Sequence, residues 1–65
     1  MFVNGGLLPL RILLVEDEPK IASLVCSALS AREMEVAHES DGRAGLERAQ
    51  AEHFDAIVLD IMLPR

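Results

Sequence analysis

Three acidic side chains stand where apolar runs end. Ile12-Leu13-Leu14-Val15 passes directly into Glu16 and Asp17, and Ala56-Ile57-Val58-Leu59 into Asp60. In an open parallel sheet, ligands bind beyond the carboxyl ends of the strands. If the two runs are neighbouring strands, three carboxylates converge there. Crowding like charges is costly unless a cation sits among them. Hard oxygen donors of this kind suit Mg²⁺ or Mn²⁺, with water and phosphate oxygens completing the octahedron. The plain alternative is that acids at strand ends are solvated caps, and for Glu16, Asp17 and Glu18 it serves equally well. Asp60 weighs against it. One acid between Ile57-Val58-Leu59 and Ile61-Met62-Leu63 has no packing reason to be there.

The elements that must position these acids can be read from periodicity. Arg11 to Val15 carries four consecutive apolar residues bounded by charge, the pattern of a strand buried on both faces in a parallel sheet. Glu16-Asp17-Glu18-Pro19 ends it. Pro is at home in the first turn of a helix, and an acid before it can cap that helix. Ile21, Leu24, Val25, Ala28 and Leu29 then recur as one stripe of an amphipathic helix, with Cys26 off the main stripe as a small packing residue. Met34, Val36 and His38 alternate with Glu35, Ala37 and Glu39, which predicts a short, half-exposed edge strand. Ser40-Asp41-Gly42 is turn and N-cap chemistry. Arg43 to Glu52 favours helix, with Leu46 and Ala49 inward and Gly45 allowing close packing. His53 and Phe54 end that helix, and Asp55 leads into Ala56 to Leu59. The order is strand, helix, strand, helix, strand: a βαβαβ unit, the opening half of a doubly wound α/β fold.

Composition narrows the function classes. Over 65 residues, 6 Lys+Arg face 11 Asp+Glu, a formal net charge of -5, and 51% of residues are hydrophobic. The acidic balance argues against a nucleic-acid surface. The apolar fraction is too high for intrinsic disorder. A single Cys26 excludes an internal disulfide and leaves too few ligands for a paired Cys/His zinc site. Met1 to Leu10 lacks a basic n-region and a small-residue cleavage site, and no run approaches the ~20 apolar residues of a membrane span. Residues 1–10 are expected to be a flexible leader because of Gly5-Gly6 and Pro9, with a partner-binding tail through Leu7, Leu8 and Leu10 as the other possibility. A cytoplasmic location with no membrane partner follows as the default.

Three segments then carry a resemblance. Ile12-Leu13-Leu14-Val15-Glu16-Asp17-Glu18-Pro19, Asp41-Gly42, and Asp55-Ala56-Ile57-Val58-Leu59-Asp60-Ile61-Met62-Leu63-Pro64-Arg65 resemble, in order and in spacing, the receiver domain of bacterial two-component response regulators. The form Leu59-Asp60-Ile61-Met62-Leu63-Pro64 looks most like the subfamily whose receivers precede a winged-helix DNA-binding domain. The resemblance implies a three-layer, doubly wound, flavodoxin-like fold, represented over residues 11–65 by its N-terminal half with sheet order 2-1-3. It implies a signalling domain in a phosphorelay rather than an enzyme. Asp60 would be the phosphoacceptor, phosphorylated by a sensor histidine kinase. Glu16, Asp17, Asp60 and the backbone carbonyl of Met62 would hold Mg²⁺. Glu18 would cap or support, and Pro64 would shape the loop leaving the site.

The departures from the family pattern also carry expectations. The family's hydroxyl residue after strand four, its lysine after strand five and its aromatic on strand five have no counterpart here, so phosphotransfer is expected to be impaired. Glu33-Met34 stands where many relatives have Gly plus an aromatic, so a tight positive-φ turn is not expected there. Strand three becomes an exposed apolar edge. That feature supports an interaction module, pairing with itself or with another receiver, as the alternative function. A third possibility is a Mg²⁺-dependent phosphohydrolase, which needs a further acid or base. Only His38 and His53 are on offer, and both are read as ordinary surface residues.

Overall fold

The computed structural model describes the backbone of residues 9–60 and the side chains of 9–59. Strand β1 (Arg11–Glu16) leads through helix α1 (Pro19–Ser30) to β2 (Glu35–Glu39), and helix α2 (Gly42–Ala51) leads on to β3 (Ala56–Asp60). The three strands are parallel, in the order β2-β1-β3. Both the α/β class and the order 2-1-3 agree with expectation. The leader expected at residues 1–10 falls mostly outside the described residues. Leu10, its last member, already lends its carbonyl to the Glu35 N–H at 2.8 Å.

The core is β1. Ile12, Leu13, Leu14 and Val15 are all buried, and Ala22 of α1 joins them. Successive strand residues face opposite sides, so a continuous apolar run is what a central strand covered on both faces needs. The chain crosses from β1 to β2 in one direction and from β2 over β1 to β3 in the other. The right-handed rule for such crossovers puts α1 and α2 on opposite faces.

Both helices start as the sequence suggests. Glu18 is the N-cap of α1, its side chain accepting the Lys20 N–H, and Pro19 opens the first turn. Asp41 caps α2 by accepting the Ala44 N–H at 2.8 Å. Gly45 meets β1 directly: a Cβ there would lie 2.6 Å from Val15 Cγ2, so only glycine permits this approach.

Three expectations are corrected. Of the expected stripe of α1, Val25 and Leu29 are half-buried and face inward with the buried Ala22 and the half-buried Cys26, whereas Ile21, Leu24 and Ala28 point outward, Leu24 with 71% of its surface exposed. Ala22 and Cys26 are small, and small residues let the helix lie close to the sheet. Leu46 of α2 is 58% exposed rather than inward, because Gly45 takes the contact with β1. The turn after α1 is made without glycine. Glu33 adopts φ 64°, its N–H bonds the Ser30 carbonyl, and the Met34 N–H bonds the Leu29 carbonyl. Those two bonds form the Schellman arrangement, which needs a left-handed residue at this position.

Candidate functional site

The end of β1 delivers the first two acids. Glu16 is the last strand residue and only 1% exposed, and Asp17 follows on the surface. Glu16 Oε2 accepts the Glu18 N–H at 2.8 Å, a short turn that breaks the strand and aims the chain into α1. The sheet register delivers the third acid. Leu14 lies beside Val58, Val15 beside Leu59, and Glu16 beside Asp60. The backbone therefore brings Asp60 alongside Glu16 at the carboxyl end of the sheet. The side chain of Asp60 and the whole of Met62, the carbonyl expected to join them, lie outside the described residues.

Glu16 and Asp17 border a groove of about 570 Å³, which continues past Ser40, Asp41 and Gly42 to an apolar stretch of Val15, Leu46, Ala49, Ile57 and Leu59. Its polar end holds only oxygen donors on side chains, the donor set that hard cations such as Mg²⁺ take. Among the described residues no group of three His, Cys, Asp or Glu gathers tightly enough to hold a metal by itself. Two acids and a neighbouring third strand end fit Mg²⁺, which keeps several waters, better than an all-protein cage.

Sequence reasoning missed two residues that shape this region. His38, on β2, is exposed as expected, yet its Nε2 lies 2.9 Å from the Glu16 carbonyl oxygen and donates to it. The only local signal was its place in a period-two strand. Arg11, at the opposite end of β1, ties the strand down. Its backbone N–H donates to Asp55 Oδ2 at 2.7 Å, Nη1 to the His53 carbonyl and Nη2 to Glu52 Oε1. Its guanidinium also lies 4.7 Å from the centre of the Phe54 ring. Arg48 continues the array, bonding Glu52 through Nε and Glu39 through Nη1. Glu52, held between two guanidinium groups, has its carboxyl pulled below the ordinary value, first by the Arg11 hydrogen bond and next by that from Arg48. Arg48 carries the array along α2 to Glu39, the last residue of β2 and the partner of Val15, while Arg11 and Glu52 lie at the amino end of β1, away from Glu16 and Asp17. His53, 3.5 Å from Asp55, belongs to that end too, so the structure does not bring it to the acidic site. Among the described residues no helix is long and apolar enough to cross a membrane.

Comparison with known proteins agrees with this geometry. Residues 12–65 match the model of the response regulator receiver domain. Transcriptional regulatory protein TcrA of Mycobacterium tuberculosis is 42% identical over 60 residues, covering 92% of this chain and 24% of that protein. Transcriptional activator protein IrlR of Burkholderia pseudomallei is 42% identical over 55 residues, 85% of this chain and 24% of its own. Response regulator ArlR of Staphylococcus saprophyticus is 43% identical over 54 residues, 83% of this chain and 24% of its own. The chain thus spans about a quarter of the length of these curated relatives. No solved structure gives a significant match. Relatives named as transcriptional regulators accord with the subfamily whose receivers precede a winged-helix domain. A parallel sheet of order 2-1-3, acids at the ends of its two adjacent strands and a family match over nearly the whole chain lead to one assignment: this chain belongs to the response regulator receiver domain family.

Proposed function

We propose that the chain acts in phosphorelay signalling, accepting a phosphoryl group on Asp60 from the phosphohistidine of a sensor histidine kinase. The observation that carries this reading is the register of β1 against β3, which sets Glu16 beside Asp60 at the carboxyl end of the sheet. An oxygen of the Asp60 carboxylate attacks phosphorus, the P–N bond to the kinase imidazole breaks, and the ring leaves with the bonding pair and takes up a proton. The product is an acyl phosphate on Asp60. Glu16 and Asp17, with Asp60 and the Met62 carbonyl, are the groups that would hold Mg²⁺, whose charge offsets the negative charge that builds up when a phosphoryl group approaches carboxylates. The buried Glu16 gives this set a fixed member, because its side chain is anchored on the Glu18 N–H. The work is that of a cytoplasmic signalling domain, not of an enzyme that turns over a substrate. With a net charge of -5, the chain makes no direct contact with nucleic acid.

The 65-residue polypeptide by itself is a poor acceptor. Leu24, Leu46, Ile57 and Leu59 all remain substantially exposed, so the arrangement of acids rests on a thin core. Incubation with acetyl phosphate and Mg²⁺, followed by intact-mass measurement, tests both statements. Slow, partial gain of one phosphoryl group, abolished in Asp60→Asn, is expected. Labelling on another residue, or none in a folded chain, overturns the acceptor role. Rapid and lasting stoichiometric labelling overturns the impairment.

A second reading is favoured by one observation. All four apolar residues of β3 from Ala56 to Leu59 are exposed, and the described residues pair this strand on one side only, with β1. The occupant proposed for the open side is β3 of a second copy, which would complete the backbone hydrogen bonding. A size that grows with protein concentration in sedimentation supports this. A monomer at all concentrations overturns it.

A further inference from the structure

We propose that His38 is a positioning residue for the acid pair at the end of β1, and this rests on the reading of Glu16 and Asp17 as Mg²⁺ ligands. The Glu16 carbonyl that receives His38 Nε2 at 2.9 Å shares one rigid peptide plane with the Asp17 N–H. Holding that carbonyl fixes the plane, and the plane sets the direction in which Asp17 leaves the strand.

Glu16 is thereby held twice. Its carboxylate is tied ahead, to the Glu18 N–H at 2.8 Å, and its carbonyl is tied sideways, to β2. The sideways tie needs a side chain because β2 ends at Glu39, the partner of Val15, so the ladder stops one step short of Glu16. His38 lies opposite Leu14 and reaches forward along the sheet to cover that step. A carbonyl oxygen only accepts, so this contact places the proton of the neutral ring on Nε2. Asp17 is exposed, with no packing of its own to orient it, so the peptide plane before it is where its direction is set. A partner that orients a ligand from outside typically accounts for 10–100-fold in metal affinity.

The test compares the full chain with His38→Leu, which removes the donor, and His38→Gln, which keeps an N–H donor. Circular dichroism monitors the fold. Mg²⁺ affinity is measured by calorimetry, and the ring tautomer of the metal-free wild type is read from imidazole ¹⁵N shifts. The expected result is an Nε2–H tautomer, about tenfold weaker Mg²⁺ binding in His38→Leu at unchanged helix content, and recovery of most of that loss in His38→Gln. Wild-type affinity in His38→Leu overturns the positioning role, as does an Nδ1–H tautomer. Equal loss in both variants also overturns it, because the donor would then not matter. A folded wild type that binds no Mg²⁺ overturns the acid-site reading itself, and the role of His38 with it.

Discussion

Glu33 shows what one residue can cost. It sits at φ 64°, a conformation glycine adopts freely and a side chain with a Cβ does not. The two hydrogen bonds that close α1 require that conformation, so the chain accepts the strain instead of losing the turn. Glu33→Gly is expected to stabilise the fold by ~0.5–1 kcal/mol, the cost of a non-glycine residue in this region less the extra freedom glycine gives the unfolded chain. The urea midpoint should rise with an unchanged slope. Glu52 offers a second residue-scale test. Its folded carboxyl titrates below the ordinary value of 4.5 because Arg11 and Arg48 both donate to it. A depressed folded pKa means a contribution that is present above the ordinary value and lost as pH falls through the lowered one. Glu52→Gln should therefore flatten the acid side of the stability–pH curve below about pH 4.5 and leave its shape near neutrality unchanged. Thermal melts across that range would read the difference.

At the scale of the element, helix faces decide the packing. α2 approaches β1 at Gly45, where a methyl group would meet Val15 Cγ2 at 2.6 Å. Gly45→Ala gains ~1 kcal/mol of helix propensity but forces α2 off a short, β-branched side chain that cannot swing away, at ~1–3 kcal/mol. A net loss of about 1 kcal/mol is expected, measurable by denaturant unfolding. A gain in stability would mean that the helix shifts freely. The same contact explains what the sequence could and could not reveal. The strands were legible because Ile12–Val15 and Ala56–Leu59 are unbroken apolar runs stopped by acids, and no helix pattern competes there. The caps were legible because Glu18-Pro19 and Asp41-Gly42 are local chemistry. The faces of the helices were not. α1 carries two overlapping apolar stripes that share Val25 and Leu29, and periodicity selects the bulkier one, Ile21-Leu24-Val25-Ala28-Leu29. The sheet takes the one with Ala22 and Cys26, about 100° around the helix, because small side chains let backbone approach backbone. For the site, position along the chain gave Glu16, Asp17 and Asp60. The tie from His38 depends on which strand is the neighbour and in what register, and that is settled only by the assembled sheet.

Across the described residues as a whole, the sheet has two unlike edges, β2 and β3. Along β2, Glu35 and Glu39 carry charge, Arg11 lies 3.6 Å from Glu35 and Arg48 lies 3.2 Å from Glu39. An incoming strand would have to displace or bury those ion pairs, which is how natural edges are kept from pairing. Along β3, Ile57, Val58 and Leu59 are exposed with no charged residue among them. If the chain associates with itself, the joining edge is therefore β3. Two lysine substitutions separate the edges. Ile57→Lys puts a charge on the bare edge, at a position already 48% exposed, so its cost to the fold is modest while its cost to strand pairing is large. Ala37→Lys puts the same charge on β2, opposite Leu13. In sedimentation velocity, Ile57→Lys should weaken association by about tenfold or more, the effect of ~1.4 kcal/mol or greater per contact, and Ala37→Lys should leave it unchanged once both variants are confirmed folded. Association lost equally in both would show that net charge governs it instead of the edge. Association lost only in Ala37→Lys would place the interface on β2, against the protection its ion pairs provide.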